Sequence, residues 1–422
     1  MATGNAGQLT LTSRRGLRRW AKAAAWFFLG RAVIAVLWAL LHLISRGRPV
    51  RIGALNGKGR ISIMIGYIEP FLRQLEIDGV SNPLVIIINP GLSPNEQMTL
   101  MYGRKTWLLD DSRPMMRKIF QAIRSLLLIG HSPMAVTLQL VVENTYPSYI
   151  GGQPSLDFLP GERRKGREVL AAMGVPEGAE YICFGVRDAA YYQQVVLAEE
   201  SVARHPNTEG REDTYIRNPE VENYLQMAAD RAENDQYTLR MGSVVSNPLP
   251  GNLHEKIIDY STVNRSEFGD IFLLGNCKFT VSGGSGIFWV SEAFDRPVVL
   301  IDNSPAGWRP PGLRDLFIPP KLWIKSEQRY MTFRESIKAA PSYMYQDAYE
   351  RDGIDAVLAT SEEISAVTRE MDQRLKGIWV GGYEDEELQR RFNSCYSPND
   401  QGYQVPARIG AEFLRKYSYL LD

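Results

Sequence analysis

A glycine- and serine-rich segment at residues 278–286 has the residue types and spacing that best fit chemistry on a phosphate. Strand-type residues lead into it, and residues 287–294 then show a helical pattern. Glycines let a backbone approach a phosphate closely, while turn amides and serine hydroxyls donate hydrogen bonds to it. The segment predicts a phosphate-binding turn, with an ordinary tight turn as the alternative. Its predicted ligand residues are Ser282, Gly283, Gly284, Ser285 and Gly286.

Two arginines at the ends of predicted strands have the charge to hold a diphosphate. Arg187 follows the apolar run 181–186, and Arg240 lies near the end of the run 237–241. A guanidinium binds phosphate oxygens in bidentate fashion. Both arginines are therefore predicted to bind the diphosphate of a donor substrate. Asp188 would hold Arg187 or act as a general base, and a structural ion pair is the alternative. Glu292, on the predicted helix after the turn, is predicted to contact a nucleotide ribose.

Carboxylate, cysteine and histidine spacing gives no support for a metal site. No two aspartates are two positions apart, and the three cysteines and four histidines are scattered. The Asp-x-Asp pair that holds a divalent ion in many sugar transferases is therefore missing. We predict no metal and no cofactor, with leaving-group charge neutralised by the two arginines and backbone amides.

The elements that would position these residues alternate between strands and helices from residue 50 onward. Two such runs, joined by a polar, proline-bearing segment near residues 153–164, predict an α/β fold of the GT-B type with two Rossmann-like, doubly wound domains. The predicted divisions are a leader at 1–48, an acceptor domain at 49–160, a donor domain at 161–395, and a C-terminal helix at 396–422 that crosses back to the first domain.

Ligands of such folds bind at the carboxyl ends of the strands. In the acceptor domain, the first predicted strand is followed by Asn56, Gly57 and Lys58. These three residues are predicted to face the acceptor. Glu69, on the helix that follows, is the alternative candidate for the general base.

Charge is distributed unevenly along a chain whose formal net charge is +0. Residues 1–68 hold eleven Lys or Arg and no Asp or Glu, so the remaining residues carry 37 basic and 48 acidic side chains. A basic leader on an acidic body indicates that the leader, at residues 14–51, seeks an anionic membrane surface. We predict no nucleic-acid partner.

The leader contains an apolar stretch at residues 23–44 that is long enough to cross a bilayer. Arg31 lies in its middle, where a charge costs roughly 2.5–3.5 kcal/mol. Both flanks are basic, so neither end prefers the far side. We predict an N-terminal membrane-associated helix that lies in the cytoplasmic face of the inner membrane, with a span or a helix packed on the protein's own body as alternatives.

The order of several short motifs resembles a family of bacterial glycosyltransferases associated with surface-polysaccharide and lipopolysaccharide synthesis. The motifs are RIGAL (51–55), IIINPGLSPNEQMTLMYGRKTWLLD (86–110), VRD (186–188), DTYIRNPEVENYLQ (213–226), LRMG (239–242), IIDYSTVNRSEFGDIFLL (257–274), CKFTVSGGSGI (277–287) and FDRPVVLIDNSP (294–305). There is a fainter similarity to fucosyltransferase-type enzymes, in which an arginine corresponding to Arg187 grips the donor diphosphate. This sequence has Gly185 where those enzymes commonly carry a polar residue.

The resemblance implies a GT-B glycosyltransferase that moves a sugar from a nucleotide-sugar donor to a glycan or lipid-linked acceptor. A hexosyl or related transfer without a metal is expected. Two alternatives stay open. One is a nucleotide-sugar epimerase of the same fold, and the other is a non-catalytic membrane-attached scaffold of a polysaccharide assembly complex.

Overall fold

The structure is a computed structural model that describes residues 32, 35–56, 60–91, 93–139, 146–191, 219–343 and 346–422. Two compact units interleave along the chain. Unit 1 comprises Met1–Lys58, Gly79–Leu92 and Tyr102–Leu138, and unit 2 comprises Gly59–Asp78, Ser93–Met101 and Gln139–Asp422. The predicted domain bounds, with a break at residue 160, do not coincide with these units, because three earlier segments, residues 59–78, 93–101 and 139–160, belong to unit 2.

The strands and helices follow one another along the chain as the alternating pattern predicted. The strands are β1 (Val50–Ala54), β2 (Leu84–Ile88), β3 (Trp107–Leu109), β4 (Tyr181–Val186), β5 (Tyr237–Met241), β6 (Ile257–Ile258), β7 (Thr280–Gly283), β8 (Val298–Ile301), β9 (Leu316–Ile318), β10 (Lys321–Ile324), β11 (Arg329–Tyr330), β12 (Ile354–Val357) and β13 (Arg408–Ile409). The helices are α1 (Ile61–Ile77), α2 (Glu96–Gly103), α3 (Pro114–Ile129), α4 (Pro147–Gly151), α5 (Pro160–Ala172), α6 (Leu225–Glu233), α7 (Glu267–Asn276), α8 (Phe288–Ala293), α9 (Phe333–Ala339), α10 (Gln346–Asp352), α11 (Ser361–Leu375), α12 (Tyr383–Asn393) and α13 (Ala411–Lys416). Single turns of helix occur at Ala189–Tyr191, Val221–Tyr224, Ala340–Ser342 and Ser418–Leu421.

Unit 1 is built on a parallel sheet in the order β1-β2-β3. The five residues of β2 read LVIII and are all buried, as expected for a strand covered on both faces. Alternate strand residues face one hydrophobic cluster, which also contains Leu41, Phe120 and Leu127. Residues 35–44 are helical, and they and α3 therefore cover the same face of this sheet.

Unit 2 contains a parallel sheet of seven strands in the order β13-β9-β8-β7-β4-β5-β6. The chain runs from β4 through β5 to β6 on one side, and then resumes on the other side of β4 with β7, β8 and β9. This is the Rossmann strand order, and the direction reverses between β4 and β7. The predicted α/β class with a doubly wound sheet is confirmed for this unit.

Two features of unit 2 differ from the sequence predictions. An antiparallel sheet in the order β11-β10-β12 lies in a region where no strands were predicted. The C-terminus does not form one helix that crosses back to the first domain. Instead, β13 joins the sheet beside β9, with the Arg408 amide donating to the Asp315 carbonyl (3.0 Å), and α13 then packs within unit 2. The residues of β13 have helical spacing, but they form a strand because the open edge of β9 offers hydrogen-bond partners.

Among the described residues, no helix has both the length and the apolar character needed to cross a membrane. Of the predicted leader, residues 35–44 are described as helix, whereas residues 1–31, 33 and 34 lie outside the described residues.

Candidate functional site

The glycine/serine turn joins β7 to α8 at the carboxyl end of the seven-stranded sheet. It lies on the β7 side of the reversal between β4 and β7, where α/β sheets open a crevice for ligands. Val186 pairs with Gly283, and the Arg187 amide donates to the Gly283 carbonyl (3.0 Å). Arg187 and the predicted turn are far apart in sequence, and the structure places them next to each other.

The shape of the turn is set by its own side chains and by one left-handed residue. Gly284 has φ +62°, which favours glycine. The Ser282 hydroxyl is buried and donates to the Ser285 carbonyl (3.0 Å). Residues 284–287 are half-buried. Ser282 therefore organises the turn, and the predicted contact of its hydroxyl with a phosphate stays a prediction.

Two glycines allow close packing beneath the turn. A Cβ on Gly283 would lie 2.1 Å from the Tyr224 hydroxyl oxygen and 2.8 Å from Cζ of the same ring. A Cβ on Gly185 would lie 2.1 Å from Cδ1 of Ile287, the residue that ends the turn. A side chain at position 185 would therefore displace the end of the Ile287 side chain.

The Gly283→Ala variant should be destabilised by about 1–3 kcal/mol, because the methyl group would overlap a rigid ring in a packed interior. Gly185→Ala is the matched control. It should cost less, because the end of the Ile287 side chain can rotate away. Urea unfolding measures both free energies, and a Gly283→Ala variant as stable as the unchanged protein would refute the packing described for Tyr224.

Asp188, directly after Arg187, is held by three donors. Its Oδ1 accepts from the Ala190 amide (2.9 Å) and the Ser246 hydroxyl (2.5 Å), and its Oδ2 accepts from the Ser246 amide (2.7 Å). Burial raises the pKa of Asp188, but the Ser246 and Ala190 hydrogen bonds and the nearby Arg240 charge bring it below its ordinary value. The carboxylate caps the helical turn at Ala189–Tyr191 and anchors the loop around Ser246. Its role as general base stays a prediction.

Arg240 lies in β5, next to β4, and is buried with 4% of its surface exposed. Its Nη1 donates to the Asn247 carbonyl (2.7 Å) and to Oδ2 of Asp259 (3.3 Å). Asp259 in turn accepts from the Leu249 amide (2.8 Å). Arg240 thus braces the loop after β5, and its predicted contact with a phosphate stays a prediction.

Glu69 is fully buried in α1 and faces the interior of unit 2. Its carboxylate accepts from Nε of Arg73 (2.8 Å), from the Ser155 amide (2.8 Å) and from the Ser155 hydroxyl (2.5 Å). A carboxylate enclosed by these donors has no exposed oxygen for an acceptor hydroxyl. The surroundings of Glu69 therefore contradict the alternative prediction that it acts as a general base.

Glu292 lies at the end of α8 that is remote from the turn, and is 2% exposed. Together with Asp315 it lines a cavity of about 150 Å³, and Asp315 accepts from the amide of Val298, the first residue of β8. The pair therefore lies at the amino ends of the strands. The predicted ribose contact is wrong, because α8 runs from the carboxyl edge of the sheet back to the opposite edge.

Burial and the adjoining Asp315 raise the pKa of Glu292 well above its ordinary value. Asp315 accepts from the amides of Val298 (2.9 Å) and Gly312 (2.6 Å), so the proton of the pair resides on Glu292. The native state then binds more protons than the unfolded state. The stabilising contribution of Glu292 is complete below its unfolded pKa of about 4.3, and is lost as pH rises through the raised native pKa.

The Glu292→Gln variant should therefore gain stability relative to the unchanged protein as pH is raised above about 4.3. The amide keeps the shape of the carboxyl group and cannot ionise. Unfolding free energies measured by urea titration across this range provide the test, and Glu168→Gln, at an exposed position of α5, is the control. Stability curves that stay parallel for Glu292→Gln and the unchanged protein would contradict the proton assignment.

The predicted acceptor residues are described in part. Asn56 follows β1 in unit 1 and is exposed, whereas Gly57 and Lys58 lie outside the described residues. Their role stays a prediction. In the part of the chain that the structure describes, no group of three or more His, Cys, Asp and Glu side chains is arranged to hold a metal ion. Independence from a metal stays a prediction.

Two residues near the turn, Tyr224 and Asp302, were given no role in the sequence predictions. Tyr224 is buried against Gly283, and Asp302 follows β8 at the carboxyl edge of the sheet. Burial raises the pKa of Asp302 to about 7, although the Ala359 amide donates to its Oδ2 (2.8 Å). Its Oδ1 and the Tyr224 hydroxyl have no hydrogen-bond partner among the described residues. The aspartate that ends the apolar run 298–301 was the available signal.

Comparison with known proteins gives structural matches and no sequence match. No protein-family model and no curated protein matches the chain. A family 9 glycosyltransferase from Veillonella parvula is 10% identical, with 60% of this chain and 80% of that chain covered and a TM-score of 0.37. The ADP-heptose lipopolysaccharide heptosyltransferase II of E. coli is 12% identical, with 72% and 98% covered and a TM-score of 0.38.

The iron-containing dodecameric heptosyltransferase TibC, solved with ADP-D-β-D-heptose, is 12% identical to the chain. The match covers 61% of this chain and 59% of TibC, with a TM-score of 0.28. TibC comes from enterotoxigenic E. coli. All three matched proteins are glycosyltransferases.

Proposed function

We propose that this protein is a glycosyltransferase of bacterial surface-polysaccharide synthesis, which moves a sugar from a nucleotide-sugar donor to a glycan or lipid-linked acceptor. One observation carries the proposal. Arg187 and the turn at residues 284–287 meet at the carboxyl ends of β4 and β7, where the strand order reverses. This is the position at which open α/β sheets bind nucleotides. A guanidinium and turn amides are suited to a diphosphate.

The reaction would break the bond between the anomeric carbon and the diphosphate oxygen. The acceptor hydroxyl would form the new bond to that carbon and lose its proton to a base, for which Asp188 is the candidate. The nucleoside diphosphate would leave with negative charge on its terminal phosphate. Arg187 and the amides of Gly284, Ser285 and Gly286 would stabilise that charge, which a fixed positive environment does without rearrangement. A divalent metal is not needed in this scheme.

The acceptor would approach beside Asn56, Gly57 and Lys58. Membrane contact through residues 14–51 would hold the enzyme at the cytoplasmic face of the inner membrane, and would raise the local concentration of a lipid-linked acceptor. The excess of Lys and Arg over Asp and Glu in these residues supports this part of the proposal.

Thermal unfolding of the full-length protein with a panel of donors tests the proposal. The panel comprises UDP-, GDP-, CMP- and dTDP-sugars and ADP-heptose. A ligand at about 100 times its Kd stabilises the native state by about 2.7 kcal/mol, so the matching donor should raise Tm measurably. If no nucleotide sugar raises Tm, the proposal fails.

A second assay then identifies the reaction. Release of nucleoside diphosphate that requires bacterial membranes as a source of acceptor supports transfer. Conversion of the donor to an isomer without an acceptor would instead identify an epimerase. Binding without turnover, together with intact polysaccharide in cells that carry Arg187→Ala, would identify a scaffold.

A further inference from the structure

Helix α3 of unit 1 has two apolar faces, of which one is buried. Phe120 and Leu127 belong to the hydrophobic cluster of unit 1 and are 7% and 0% exposed. A second set of apolar residues on α3, spaced by four, seven and three positions, faces outward. Its members are Met115 (72% exposed), Ile119 (45%), Leu126 (38%) and Ile129 (76%).

The helical residues 35–44 continue this outward apolar surface. Leu41 is 3% exposed and belongs to the same hydrophobic cluster as Phe120 and Leu127. Leu37 is half-buried, and five other large apolar residues of this helix are exposed by about half or more. They are Val36 (58%), Trp38 (46%), Leu40 (49%), Leu43 (75%) and Ile44 (57%). Residues 35–44 and α3, here called the helix layer, thus cover one sheet face and turn apolar side chains outward. Patches of this kind generally mark a binding surface.

The charge of unit 1 indicates what would cover this surface. Its described residues contain nine Lys or Arg and two acidic residues, Asp110 and Asp111. Asp111 is paired with Arg117. The sequence of α3 has no acidic residue and includes Lys118 and Arg124. Only two of the chain's 48 acidic residues lie in unit 1. A cationic unit with exposed apolar side chains matches an anionic bilayer, which offers negative headgroups above an apolar layer.

The other occupants fit less well on charge. A second copy would bring the same positive surface against itself. Residues 1–34 carry six Lys or Arg and no Asp or Glu, so this segment would also add like charge. Nucleic acid would satisfy the cations and leave the Met, Ile and Leu side chains of α3 in water. We propose that the helix layer lies on an anionic membrane surface, and that α3 supplies a membrane contact in addition to the leader.

Peripheral attachment is stable when two weak signals act together. In this proposal the basic leader is one signal and the apolar face of α3 is the other. The proposal does not depend on transferase activity, because it concerns a surface of unit 1 and needs no nucleotide.

Vesicle sedimentation of the full-length protein provides the test. The probe is a phosphatidylcholine vesicle with about one-third phosphatidylglycerol, at ~0.1 M salt. The double variant Met115→Gln/Ile129→Gln should bind at least about tenfold more weakly, because two exposed apolar side chains would no longer enter the interface. The matched control is Ile378→Gln/Val380→Gln in unit 2, where the side chains are 61% and 90% exposed. The control should bind as the unchanged protein does.

Each of the following results would overturn the proposal. Equal binding of the α3 variant and the unchanged protein would show that the leader alone attaches the chain. An equal loss in the control variant would show a non-specific effect. A dimer that the α3 variant converts to a monomer would identify a second copy as the occupant. A lowered Tm would indicate that residues of this chain cover the face. Duplex DNA binding that the α3 variant abolishes would identify nucleic acid as the partner.

Discussion

Replacement of Arg187 by alanine is expected to weaken nucleoside diphosphate binding by about 10- to 100-fold. A hydrogen bond to a charged group contributes about 1.5–3 kcal/mol, and about 1.4 kcal/mol corresponds to a factor of ten in Kd. Arg187 follows β4 at the reversal of strand order, next to the turn after β7. The same loss should lower transferase turnover, because the arginine would also stabilise the departing diphosphate.

Isothermal titration with the donor selected by thermal unfolding measures this loss directly. Arg187→Lys should bind with intermediate affinity, since an ammonium group keeps the charge and cannot make the bidentate contact. Arg164→Ala is the matched control, because Arg164 is an exposed arginine of α5. A Kd for Arg187→Ala within twofold of that of the control would refute the assignment of Arg187 to the donor site.

Replacement of Arg73 by methionine is expected to reduce the free energy of unfolding by about 3–5 kcal/mol. Arg73 is fully buried in α1 and donates to Glu69 (2.8 Å), to Asp295 (2.7 Å) and to the Glu292 carbonyl (3.0 Å). Burial by itself would lower the pKa of the Arg73 guanidinium, but Glu69, Tyr149 and Asp295 raise it above its ordinary value. Without this cation, the Glu69 carboxylate would remain buried with no opposite charge.

Urea unfolding measures the effect on stability. Arg163→Met is the matched control, because Arg163 pairs with Asp157 at the surface, and such pairs contribute about 0–1 kcal/mol. The double variant Glu69→Gln/Arg73→Met should recover part of the loss, since the uncompensated charge is gone. Equal stability of Arg73→Met and Arg163→Met would contradict the buried ion pair.

The parts of the fold that local pattern encodes could be predicted from the sequence. The apolar runs of β2, β4 and β8 and the glycine-rich turn after β7 all have short-range signals, and the structure has these elements. The proximity of Arg187 to that turn could be predicted from one general rule: the carboxyl ends of parallel strands lie at the same edge of a sheet. Polar residues that close buried strands were therefore the most informative signal for the candidate site.

The missed features depend on contacts between residues far apart in sequence. Glu69 and Glu292 look alike as helical carboxylates, and their burial follows from Ser155, Arg73 and Asp315, none of which a local pattern identifies. The C-terminal segment has helical spacing, yet β13 forms there because the edge of β9 offers hydrogen bonds. The interleaving of the two units likewise depends on which helix packs on which sheet.

Amide hydrogen exchange with and without the donor tests the central claim most directly. If the donor binds at the ends of β4 and β7, amide exchange in the complex should be slower at residues 284–287 and 187–191. Exchange around Gly312 and Asp315 should be unchanged. The Arg187→Ala variant at the same donor concentration should lose that protection. Donor binding that leaves both segments unprotected, or that protects the cavity beside Glu292 instead, would contradict the proposed site.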